Sequence, residues 1–269
     1  MSDNRVSFHI EDSIAYVSLN RPECHNGVDE AMIVQLINTA KRIKKDRAIR
    51  CVILQGKGAS FCSGLDFNSV SKRPSIIPRF FIKLPWRKDN MFQRVALVWR
   101  DLPVPVIAVV HGNCFGAGMQ IILAADYRIA TPSANLSILE MKWGLIPDMS
   151  GMVTISRLTR VDIAQELTMT GRFFSGSEAV EYGLVSKVSD SPLETAQQLA
   201  NDIAKQSPDA IAATKYLYKK TWKKDTRAAL FWERMVQLRL LFRKNQRIAM
   251  KNGLSKGQDK KSFIDRSSF

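Results

Sequence analysis

The sequence predicts an α/β fold, a parallel sheet with helices packed over it. Residues 51–54 and Val106–Val110 are unbroken apolar runs followed closely by glycines, the pattern of strands buried on both faces. Between the β-rich run at residues 14–19 and the first of these lies a helical period, Ala31, Met32, Val34, Leu36, Ile37, Ala40 and Ile43, ending in a basic run at residues 41–45. Strand, helix and strand in succession make a parallel pair with the helix lying across it. At 45% hydrophobic and 24% charged residues, the chain has the composition of a globular protein with a substantial core.

The elements follow in order. Residues 6–10 and 14–19 are β-rich runs split by Glu11-Asp12-Ser13, which reads as a hairpin, and Asn20-Arg21-Pro22 ends the second. After the first helix and the strand at 51–54, Phe61-Cys62-Ser63-Gly64-Leu65-Asp66 forms a glycine turn. Residues 72–92 carry three prolines, several aromatics and many cations without a period, and are expected to be irregular. Residues 94–100 read as helical up to Pro103. Strand Val106–Val110 then runs into Gly112, Gly116 and Gly118, and a helical pattern starts at Ala117. A helix is expected from Ser175 to Gly183, another over 193–205, and long helical patterns over 210–220 and 227–250.

The strand, glycine turn and helix start around Gly116 place free backbone N–H groups and the positive end of a helix dipole at one point, fit for a phosphate or a developing oxyanion. Two carboxylates follow. Glu140 comes after the apolar residues Leu136, Ile138 and Leu139, and Asp148 comes after Gly144-Leu145-Ile146-Pro147. Near a glycine-lined turn both are candidates for proton transfer. Taken alone, Glu140 also fits a solvated strand end and Asp148 a helix N-cap.

FCSGLDF (61–67), HGNCFGAGMQ (111–120), AADYRIA (124–130), WGLIPDMSG (143–151) and TGRFFSGSEAVEYGLVSKV (170–188), with LNRPECHNG near the start, resemble the crotonase, or enoyl-CoA hydratase/isomerase, superfamily. The resemblance implies a crotonase-like spiral of repeated β-β-α units over residues 1–200. It also implies a basic C-terminal helical region, 201–269, that covers the active site and builds trimers. It implies an acyl-CoA thioester substrate and an oxyanion hole made by the backbone N–H groups of Leu65 and Ala117. Ser63, Gly64, Asp66, Gly116 and His25 fall where relatives hold the substrate and its CoA portion. Relatives that hydrate use two glutamates. The second aligns with Glu140, but the first aligns with Gln120, whose amide exchanges no proton at neutral pH. Double-bond isomerisation needs less: Glu140 as proton shuttle, with Asp148 as partner at the G-L-x-x-D position. The expectation is therefore an enoyl-CoA or dienoyl-CoA isomerase, with a hydratase as the alternative. No cofactor or metal is called for, coenzyme A being part of the substrate. The resemblance also suggests that Phe80, Phe81 and Trp86, in the variable segment, either line the acyl pocket or pack against a neighbouring subunit.

The net charge of +15 is uneven, because residues 205–269 hold 17 Lys and Arg against 5 Asp and Glu. Such a tail suggests an anionic partner, whether CoA phosphates, RNA or an acidic surface, or else a solvated helix face. His111 beside the glycine turn reads as structural. Cys24, Cys51, Cys62 and Cys114 lack metal or redox spacing, which favours free thiols. With no apolar leader and no membrane-length run, the expected setting is the cytoplasm, and the expected assembly a homotrimer or dimer of trimers.

Overall fold

The computed structural model describes residues 4–71, 76–255 and 260–268. Its main sheet has six strands, β1 (Val6–Glu11), β2 (Ile14–Leu19), β3 (Cys51–Gly56), β4 (Val106–Val110), β6 (Tyr127–Ala130) and β9 (Lys187–Val188), in the order β1-β2-β3-β4-β6-β9. β1 and β2 form the expected antiparallel hairpin, turning through Asp12 and Ser13 at positive φ, and the remaining pairs are parallel. A smaller sheet joins β5 (Asn113–Phe115), β7 (Asn135–Ser137) and β8 (Phe174–Ser175).

Alternation along the central strands divides their side chains between two cores. Val52, Leu54, Val106, Ala108 and Val110 enter the larger core, with helix Glu30–Lys45 and helix Met91–Arg100. Cys51, Ile53, Ile107 and Val109 enter the smaller one, under Ala196 and Ala200 of helix Pro192–Ala204. Because both faces are buried, neither strand shows polar alternation. The two main helices start at side-chain caps: Asp29 accepts from the Met32 N–H, and Asn90 closes a capping box with Gln93.

Three expectations change. The segment expected to be irregular contains helix Ile76–Phe81, while residues 72–75 lie outside the described residues. Helix Val161–Thr170 adds an element that the sequence pattern did not bring out. The helical pattern over 227–250 is two helices, Thr226–Leu241 and Lys244–Leu254, parted where Arg243 turns extended. The break lets the fully buried Asn245 bond Asp209 and the carbonyl of Ile264, which pins the returning C-terminal strand of chain. Residue 200 lies inside helix Pro192–Ala204, so the helical region proper begins at helix Pro208–Thr221. Lys215 anchors that region to the sheet, donating to Asp126 at 2.5 Å and to the Val104 carbonyl at 2.8 Å. Among the described residues, no helix is long and apolar enough to cross a membrane.

Candidate active site

β3 and β4 both run toward the same end of the sheet, and each is followed by one of the glycine turns. The turns are stitched together where Cys62 and Cys114 pair in an isolated parallel bridge. Gly118 makes this approach feasible, since a Cβ there would lie 2.6 Å from the Cβ of Cys62. Gly64 and Gly116 hold φ of 101° and 46°, conformations that L side chains rarely adopt. Leu65 follows the first and Ala117 the second. Among the described residues the Leu65 N–H donates no backbone hydrogen bond, and Ala117, as first residue of helix Ala117–Leu123, has no intrahelical acceptor. Both residues line one cavity of about 60 Å³, together with Ser63, Gly64, Gly116, Gln120, Glu140 and Asp148.

Glu140 lies in the 3-10 helix Leu139–Trp143 that follows β7, not at a strand end. Its Oε1 accepts from Gln120 Nε2 at 2.6 Å, while its Oε2 is buried without a hydrogen-bond partner. Gln120 Oε1 in turn accepts from the Gly151 N–H at 3.0 Å, which fixes the amide the right way round. Burial, and then the charge of Asp148, push the Glu140 carboxyl above its ordinary value. Burial pushes Asp148 up as well. Asp148 is not a helix cap: Ser150 occupies the N-cap position of helix Gly151–Ile155. Two carboxylates with a hindered charged form, one of them bearing an unpartnered oxygen, make the only strongly titratable feature of this cavity.

Asp66 is committed elsewhere. Its Oδ2 accepts from Arg21 at 3.0 Å and from the Ser69 hydroxyl at 2.7 Å. Burial works against its charge, but these partners prevail and hold the carboxyl below its usual range. His25 is exposed and lies behind the first turn, where its carbonyl accepts from the Ser63 N–H at 2.9 Å. His111 bonds the Gly58 carbonyl at 2.8 Å, a structural use. The aromatic wall is also not the one expected from the variable segment. Phe80 is buried against Phe92, Phe81 and Trp86 are exposed, and none of the three lines the cavity. Phe67, Phe115 and Trp143 do, with the Phe67 and Trp143 rings 4.4 Å apart. All three sit inside the motifs quoted above, Phe67 two residues past Leu65 and Trp143 three past Glu140. That proximity was the available signal.

Comparison with known proteins agrees with this geometry. The sequence profile of the enoyl-CoA hydratase/isomerase family matches residues 9–262. The chain is 33% identical over 213 residues to the mitochondrial Δ(3,5)-Δ(2,4)-dienoyl-CoA isomerase of Rattus norvegicus, covering 75% of this chain and 64% of that one. It is 30% identical over 236 residues to the short-chain-enoyl-CoA hydratase of Clostridium acetobutylicum, covering 87% and 88%. Among solved structures it is similar to the enoyl-CoA hydratase of Bacillus anthracis, with a TM-score of 0.86 at 28% identity over 96% of this chain and 98% of that one. An α/β core of this topology, with helices appended at its C-terminal end, is the crotonase fold. The chain belongs to the enoyl-CoA hydratase/isomerase family.

Proposed function

We propose that the protein is an acyl-CoA double-bond isomerase in which Glu140 is the principal proton carrier and Asp148 its partner. The observation that carries this reading is the environment of Glu140. One of its oxygens is held by an amide, the other is buried and unpartnered, and the residue supplying the amide is itself fixed by Gly151. The usual hydrating pair has its second carboxylate at position 120, and Gln120 can orient water or substrate but cannot exchange a proton.

Isomerisation asks for one base and a place for negative charge. Glu140 takes a proton from the carbon beside the thioester carbonyl, and the electron pair moves onto the thioester oxygen. The N–H groups of Leu65 and Ala117 receive that oxygen, stabilising the dienolate without rearrangement. The proton then returns further along the chain and the double bond reforms one position over. The raised pKa of Glu140 suits it to both halves of this transfer. No cofactor enters the scheme, and the CoA portion reaches the cavity past Ser63, Gly64 and Gly116.

The test is to incubate the purified protein with 3-enoyl-, 3,5-dienoyl- and 2-enoyl-CoA esters, following ultraviolet absorbance and product mass. A displaced double bond at unchanged mass supports the reading. Addition of water to the 2-enoyl ester as the dominant reaction overturns it in favour of a hydratase, for which Asp148 beside Glu140 is the available second carboxylate.

A homotrimer, or a dimer of trimers, in the cytoplasm is part of the same reading. Support for the assembly is the exposed apolar residues Ile146, Val161 and Met169 around one groove, and Phe231, Leu241 and Phe242 in the C-terminal helical region.

A further inference from the structure

Behind the catalytic cavity lies a second, larger concavity of about 610 Å³ that shares none of its lining residues. It opens at the other end of the sheet, between the starts of β4 and β6 and helix Pro208–Thr221. Its size is that of a small-molecule site, roughly 300–1,000 Å³. Four cations line it, Arg100, Arg157, Lys215 and Lys219, against one carboxylate, Asp126. Lys215 neutralises Asp126, and Lys219 pairs with Asp101 just outside. The guanidiniums of Arg100 and Arg157, both on partly buried residues, make no close ion pair or side-chain hydrogen bond among the described residues. Burial, and then the charge of Arg157, hold the Arg100 guanidinium below its ordinary pKa against the weaker pull of Asp101 and Asp126. Two partly desolvated guanidiniums that repel one another are stabilised by an anion between them. Three rings also line it: Tyr127, Tyr218 and Trp222 are exposed there, the last two in edge contact at 5.7 Å.

We infer that this groove binds a phosphorylated ligand carrying a flat ring and two or more negative charges, the chemistry of a nucleoside phosphate. The phosphate charges balance Arg100 and Arg157, each guanidinium offering a planar fork to phosphate oxygens. The ring lies against the tyrosine and tryptophan faces. The site stands whether or not the active site isomerises, and it has a route to it. Helix Ala117–Leu123 begins in the catalytic cavity and helix Gly151–Ile155 at the Gly151–Gln120 hydrogen bond beside it, and both reach the groove, with Leu123 from one and Thr154 from the other.

Isothermal titration of the whole protein with ADP, AMP, inorganic phosphate and adenosine tests this, with each titration repeated in the presence of saturating acyl-CoA. The expected result is one ADP per chain, weakened by added salt and not displaced by the thioester. Arg157→Gln and Arg100→Gln should each weaken ADP about tenfold, the loss of one charge-assisted contact, and leave thioester binding and turnover unchanged. Tyr218→Ala, which keeps both arginines, should bring ADP down to the affinity of inorganic phosphate. Absence of ADP binding, displacement of ADP by acyl-CoA, or undiminished binding in both arginine variants would each overturn the site. So would arginine variants that alter sedimentation and not ligand binding, since the guanidiniums would then belong to a contact between copies.

Discussion

Glu140 has its two oxygens in different company, one bonded to Gln120 and the other buried with nothing to bond. The cost of ionising it there leads to two predictions. Glu140→Gln should lower isomerase turnover by about 10²–10⁴-fold while the thioester still binds, measured by stopped-flow absorbance and by titration. The same substitution should stabilise the fold. The folded pKa lies above the ordinary 4.5, so the wild-type chain binds more protons folded than unfolded and loses stability as pH rises through that window. Melting curves should therefore agree below about pH 4.5 and separate above it, with Glu140→Gln melting higher at pH 7. Wild-type turnover should run the opposite way, rising with pH as Glu140 ionises. Gln120→Glu is a sharper test of the amide. A second carboxyl at hydrogen-bonding distance shares a proton with Glu140, so the acid limb of the pH–rate profile should move to higher pH.

At the scale of elements, the proposed catalytic geometry depends on how closely two turns approach. Gly118→Ala would drive a methyl into Cys62, and the expected result is a loss of about 1–3 kcal/mol in denaturant unfolding, with a disproportionate fall in turnover as Leu65 and Ala117 separate. These turns were legible in the sequence because glycines after apolar runs mark places where a backbone bends or is approached. The strands were legible for the same reason, since burial on both faces leaves no ambiguity of period. The aromatic wall was not, because composition does not say which way Phe80, Phe81 or Trp86 points, and it is tertiary packing against Phe92 that removes Phe80 from the cavity. Nor was the break at Arg243, where no glycine or proline stands. It answers to Asn245 and Asp209, partners 36 residues apart.

Across the whole molecule, the +15 charge is partly spoken for. Lys215, Lys219 and Lys223 of the basic region bond Asp126, Asp101 and the Ser156 carbonyl, and Lys220 lies over the rings of Tyr216 and Trp232. These cations fasten helices to the core, an internal use of charge that a residue count does not reveal. The exposed apolar faces make a prediction at this scale. Val161→Asp and Phe242→Asp, each at a position more than two-thirds exposed in the single chain, should shift sedimentation velocity from an oligomer toward a monomer without unfolding the spiral core. Unchanged sedimentation in both would remove these faces from the interface.

The pinning of Gln120 between Glu140 and Gly151 has an evolutionary consequence. Glutamine and glutamate codons differ by one base, and the same socket would accept either side chain, because the Gly151 N–H can bond a carboxylate oxygen as readily as an amide oxygen. A lineage carrying this scaffold therefore stands a single nucleotide from the two-carboxylate arrangement, with no backbone rebuilding required in between. Chemistry in such a protein can drift, and drift back, faster than its fold.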